Sequence, residues 1–98
     1  SARTKLEPLL AQAKLHKRHG EYNRALPLWE QAAIEGSLEA LEELAKYHEH
    51  STRQLEKALA YTNQALRLLE TNPDSIVFFR DFLHRQKRLA AKLQRRQA

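Results

Sequence analysis

Apolar positions recur at three- and four-residue spacing along most of the chain, as in Leu38, Leu41, Leu44 and Ala45 and again in Leu55, Leu59, Leu66 and Leu69. That is the period of helices that bury one face. Strand-forming residues cluster once only, at Ile76-Val77-Phe78-Phe79. Polar breaks and turn residues cut the pattern into five predicted helices. Thr4-Lys5-Leu6-Glu7 has the spacing of a capping box, in which each side chain satisfies the other residue's free backbone amide, and opens a helix to about His19, with Gly20 as the turn. The second runs from about Tyr22 to Glu35 and stops at Gly36, with Pro27 marking either its regular onset or a bend. Ser37 caps a third helix ending near His50. Ser51-Thr52-Arg53-Gln54 forms a second capping box and starts a fourth helix to about Glu70. Thr71-Asn72-Pro73-Asp74-Ser75 breaks the chain, with Pro73 suited to a first helical turn, before a fifth helix to roughly Arg95.

The first four segments repeat one another. Ala13-Lys14-Leu15-His16 returns as Ala45-Lys46-Tyr47-His48, 32 residues on. Arg24-Ala25-Leu26 with Gln31-Ala32 returns as Lys57-Ala58-Leu59 with Gln64-Ala65, 33 residues on. The change of offset places one inserted residue in the connection between helices, where insertions are tolerated. A period of this length belongs to helix-turn-helix repeats, in which no single hairpin buries its own apolar stripe and neighbours must stack.

Gly20-Glu21-Tyr22, Ala25-Leu26, Trp29 and Ala32 resemble the second half of a tetratricopeptide repeat. Trp29-Glu30-Gln31-Ala32-Ala33-Ile34-Glu35-Gly36, with Ala40, Leu44-Ala45 and Tyr47, is similar to the related Sel1-type repeat, and together these matches span about residues 9–66. The resemblance implies an all-α fold, a short right-handed α-solenoid of about five helices. One hairpin would occupy about residues 4–35, a second about 37–70, and a long capping helix about 73–96, in a single domain. A narrower likeness is carried by Ala25-Leu26-Pro27-Leu28-Trp29-Glu30, by Glu42 through His50, by Leu59 to Leu66 and by Leu83-His84-Arg85 through Lys92-Leu93. These resemble the C-terminal helical region of bacterial ribonuclease H-like proteins of predicted exonuclease type. Thr62, where the second hairpin should carry a large residue, and the apolar Phe78-Phe79 depart from that pattern. In that family the nuclease acids lie in a separate upstream domain, so the resemblance implies an accessory, non-catalytic role for these residues.

Composition agrees with a helical globule. Of 98 residues, 42% are hydrophobic and 30% charged, with only 2 Gly and 3 Pro, a balance that permits a packed core. With no cysteine, disulfides, thiolate metal sites and cysteine nucleophiles are excluded, and a reducing cytoplasm fits. No apolar run approaches the roughly 20 residues of a membrane span, and no signal-peptide pattern opens the chain. The opening Ser1-Ala2, without methionine, reads as a piece of a longer protein.

The net charge of +5 is unevenly spread: residues 21–50 carry seven acids against two Lys/Arg, and residues 71–98 carry seven Lys/Arg against two acids. Projecting the repeat register onto the inner face places Lys14, Lys17 and Arg18 beside Glu42, Lys46 and Glu49, a charged groove suited to an extended peptide or a helix. On the fifth helix, Ile76, Phe79, Phe82, Leu83, Leu89 and Leu93 form a stripe to cover the second hairpin. Arg85, Lys87, Arg88, Lys92, Arg95 and Arg96 form a polar outer face, and the last turns project, open to self-association or to a partner. The five histidines read as packing or surface residues rather than ligands, since His48 and His50 point about 200° apart on a helix. No cofactor is implied, and no catalytic constellation stands out. Two functions follow. The first is a protein–protein interaction or scaffold module, whose partner is a protein, a peptide or another domain of the same parent chain. The second is nucleic-acid binding through the basic last helix, weakened by the lack of any aromatic residue beyond Phe82 on which bases could stack.

Overall fold

The computed structural model describes residues 2–71 and 75–97 and is all-α. Five helices follow in order: α1 (Ala2–Arg18), α2 (Tyr22–Ile34), α3 (Leu38–His50), α4 (Leu55–Thr71) and α5 (Ile76–Gln97). None of the described residues lies in a strand. Helix α1 packs along α2, α3 along α4 and α4 along α5, with a lesser contact between α2 and α3 and a small one between α3 and α5.

The two tightest turns are built alike. After α1, Glu21 N–H donates to His16 O (2.8 Å) and Gly20 N–H to Lys17 O (3.0 Å). After α2, Ser37 N–H donates to Ala32 O (3.1 Å) and Gly36 N–H to Ala33 O (2.9 Å). Both are Schellman closures, which need a left-handed residue at their centre, and Gly20 (φ 73°) and Gly36 (φ 86°) supply it. Ser37 then begins the next helix, its hydroxyl accepting from Ala40 N–H at 3.1 Å, the expected N-cap.

The helix boundaries carry the change of offset found in the repeat. Helices α1 and α3 end at Arg18 and His50, 32 residues apart, whereas α2 and α4 begin at Tyr22 and Leu55, 33 apart. The extra residue lies in the α3–α4 connection. Equivalent small residues sit at closely packed positions: Ala13 with Ala45, Ala25 with Ala58 and Ala32 with Ala65 are all fully buried. Thr62, at the register of Trp29, is also fully buried, and its hydroxyl donates to Ala58 O at 2.8 Å. One apolar cluster runs from Ala13 through Trp29, Leu41 and Leu44 to Leu69 and Phe82, so all five helices contribute to it.

Four expectations require correction. Helix α1 is already under way at Ala2, carried by two strong helix formers past Thr4, so Thr4 is not a start. Helix α4 begins at Leu55, with Ala58 N–H donating to Gln54 O at 3.0 Å. No box forms at Ser51–Gln54, because Thr52 turns back: its Oγ1 lies 3.0 Å from His48 Nδ1 and accepts from Gln54 N–H at 3.3 Å. Helical bonding in α2 precedes Pro27, as Ala25 N–H donates to Glu21 O at 3.1 Å. Finally, the first turns of α5 depart from the expected stripe, although its members Phe82, Leu89 and Leu93 do face inward. Phe82 and Leu89 are buried and Phe78 and Leu93 pack inward, whereas Ile76 (68% exposed) and Phe79 (40%) face out. The part of the break at Asn72-Pro73-Asp74 lies outside the described residues.

Candidate functional site

The buried stripe of α5 is interrupted where its spacing calls for an apolar residue. Phe78, Phe82, Arg85, Leu89 and Lys92 or Leu93 share one face, and Arg85 sits among them with its side chain 12% exposed. Its partner is Glu49, near the end of α3, whose side chain is wholly buried. Glu49 Oε1 accepts from Arg85 Nη1 (3.1 Å) and Arg88 Nη2 (2.8 Å), and Oε2 accepts from Arg88 Nε (2.8 Å) and Lys92 Nζ (2.8 Å). Arg88 therefore grips the carboxylate with both arms of its fork, the strongest geometry for such a pair. Those four bonds use the acceptor capacity of one carboxylate, and the buried Nε of Arg85 finds no hydrogen-bond partner among the described residues.

The electrostatics follow from that crowding. Hydrogen bonding from Arg88, opposed by burial and reinforced by Lys92, holds the Glu49 carboxyl down to about 2. The Arg88 guanidinium is pushed up by the same bond. His50 Nε2 lies 3.6 Å from Glu49 Oε1 on the solvent side. Glu49 was expected in a groove. It is enclosed instead, because α5 lays three cations across it.

What remains of the groove is a channel over α1 and α3. One recess is lined by Leu10, Lys14, Lys17, Trp29, Glu39, Glu42 and Glu43. A second is lined by Lys17, Tyr22, Glu43, Lys46, Tyr47, His50 and Ser51. They share Lys17 and Glu43, whose ion pair (2.8 Å) ties α1 to α3, and that bond pushes the Lys17 ammonium up. Lys46 lies 3.7 Å from both Glu42 and Glu43. Tyr22 stacks on Tyr47 with centroids 5.3 Å apart, and the aromatic series continues to Trp29 on one side and to His48 and Tyr61 on the other. Within it His48 is buried, and burial, with Lys57 nearby, lowers its pKa. Arg18 is exposed and lines neither recess.

The six cations of the last helix are thus divided. Arg85, Arg88 and Lys92 turn to Glu49. Arg96 donates to Arg53 O (3.1 Å) and lies 3.6 Å from Glu56, so the last turn is tied to the start of α4 rather than projecting. Lys87 and Arg95 are exposed. Arg53, which sequence reasoning missed, joins Glu49, Leu55, Lys92, Arg95 and Arg96 around a recess of about 190 Å³. The signal was a charged residue in a turn that elsewhere uses glycine: Arg53 has φ 58°. Among the described residues no group of three or more His, Asp or Glu could hold a metal ion, and no helix is long and apolar enough to cross a membrane. The chain matches no protein-family model, no curated protein and no solved structure.

Proposed function

We propose that this chain is a non-catalytic interaction module that grips an extended segment of a protein partner along the α1–α3 channel. The observation that carries the reading is that the two recesses adjoin, sharing the Lys17–Glu43 ion pair as a common wall. Together they offer ammonium groups at Lys14 and Lys46, carboxylates at Glu39 and Glu42, and aromatic walls at Trp29, Tyr22 and Tyr47. Mixed charge over a partly aromatic floor suits a peptide whose side chains and backbone pair alternately with cations and anions. The thinness of the molecule, whose smallest extent is 18 Å, supports a surface-binding role, since general acid–base chemistry calls for a water-poor enclosure. The tetratricopeptide and Sel1 resemblance supports the same reading, and the likeness to the nuclease-associated region supports a partner elsewhere in a larger bacterial cytoplasmic protein.

Selection of peptides from a random display library tests it. Selected peptides should bind the wild-type chain and lose about tenfold or more in affinity to Lys14→Glu combined with Lys46→Glu, by loss of the charged contacts. Selection that yields no binder, or binders indifferent to that pair, would refute the reading. The nucleic-acid alternative through α5 as a whole loses ground, since three of its six cations are engaged by Glu49.

A further inference from the structure

We infer that the recess between the α3–α4 turn and the last turns of α5 binds the phosphate groups of a polyanionic ligand. Its walls are Arg53, Lys92, Arg95 and Arg96, with Leu55 as the one apolar contributor and Glu49, its carboxylate already held by three cations, as the one acid. The site is distinct from the α1–α3 channel and does not depend on it.

The argument begins with charge that the protein does not neutralise. Arg85, Arg88 and Lys92 converge on Glu49, which offers one negative charge to three positive ones. Arg53, Arg95 and Arg96 add three more cations at the mouth, and Glu56 adds one anion at 3.6 Å from Arg96. Among the described residues neither Arg53 nor Arg95 has an ion-pair partner. Arginine cannot discharge itself near neutral pH, so the excess persists and must be met by anions from outside.

Geometry then selects the ligand class. Lys92, Arg95 and Arg96 line the recess from the last turns of α5, with Lys92 and Arg95 about 4.5 Å apart along the axis at 1.5 Å per residue. They present a row of cations rather than a point. Guanidinium forks match phosphate oxygens bidentately. A peptide partner would want apolar anchors as well, and Leu55 alone, itself nearly buried, does not supply them. A chain of phosphates needs charge and little else. Arg53 is held at the mouth by a left-handed backbone conformation that non-glycine residues rarely adopt, and its carbonyl accepts a hydrogen bond from Arg96.

Two sources share this chemistry: a nucleic-acid backbone and an inorganic polyphosphate. Fluorescence polarisation of a labelled twelve-nucleotide oligothymidylate on the full chain at low salt, with tripolyphosphate as competitor, separates them. Oligonucleotide binding should fall with salt at a log–log slope of about −2 to −3, as three to four phosphate contacts imply. Arg95→Glu should weaken it about tenfold, and Arg53→Gly should weaken it while leaving the fold intact, because glycine relaxes the left-handed turn. Lys87→Glu, the same charge change elsewhere on α5, should have a clearly smaller effect. Competition by tripolyphosphate at comparable concentration assigns the recess to short polyphosphates. Oligonucleotide binding that tripolyphosphate fails to displace, yet that responds to Arg53 and Arg95, assigns it to a phosphodiester backbone. If neither ligand binds at low salt, or if Lys87→Glu is as damaging as Arg95→Glu, the recess is not a phosphate site.

Discussion

A single carboxylate governs the placement of the last helix. Glu49 is buried and holds two arginines and a lysine from α5, so removing its charge leaves three cations crowded without a counterion. Breaking a buried pair by taking away one partner costs about 3–5 kcal/mol. Exposure of Arg88 and Lys92 to water reduces that here, so Glu49→Gln should destabilise the chain by about 2–3 kcal/mol in urea unfolding at pH 7. An effect within about 0.5 kcal/mol, the level of ordinary surface changes, would mean the clamp holds nothing. The pH dependence has a definite sign. With the folded carboxyl at about 2 against 4.5 unperturbed, its contribution is complete above about 4.5 and drains away as the pH falls toward 2. Acid titration of stability should therefore be shallower in Glu49→Gln than in the wild type across that window. None of this could be read from spacing. An Arg at position 85 in a buried stripe looks like a polar outer residue until a carboxylate 36 residues earlier in the chain is placed opposite it.

At the scale of the element, turns and small residues determine the fit. Gly36 sits at φ 86° with open space where a Cβ would go, so Gly36→Ala should cost about 1–2 kcal/mol from backbone strain alone. Thermal unfolding with an unchanged melting temperature would contradict that. Ala58 is wholly buried on α4 between neighbouring helices, and Ala60 on the same helix is exposed. Ala58→Leu should cost about 1–3 kcal/mol by overpacking, and Ala60→Leu close to nothing. Equal effects would show that the repeat-equivalent alanines are not points of close approach. Helix ends marked by Gly20, Gly36 and Ser37 were legible because each has one backbone solution. The starts of α1 and α4 were not, since Thr4 and Ser51-Thr52 have more than one use for a hydroxyl. The start of the buried face of α5 was misplaced for a related reason. Phe82 and Leu89 satisfy a helical period with Phe78 as well as with Ile76 and Phe79, and only the position of α3 and α4 chooses between them.

Over the whole molecule the larger of two buried clusters joins all five helices, and Phe82 is the largest wholly buried side chain in it. Phe82→Ala should cost about 3–5 kcal/mol. Because Trp29 lies in the same cluster at the far hairpin, its fluorescence and the far-ultraviolet circular dichroism should shift together in denaturant. A Trp29 transition that stays in place while the helical signal moves would split the molecule into independent parts. The all-α architecture and the one-residue shift between repeats were visible in the sequence because they rest on local periodicity. The division of the charges into an open channel and an enclosed clamp rests on contacts across the fold. The account of function turns on that division, and amide chemical-shift mapping of the ¹⁵N-labelled chain with a selected peptide tests it most directly. Perturbations should gather between Leu10 and Lys17 and between Glu39 and Tyr47, with α5 silent. Perturbations centred on α5, or none at saturating peptide, would contradict it.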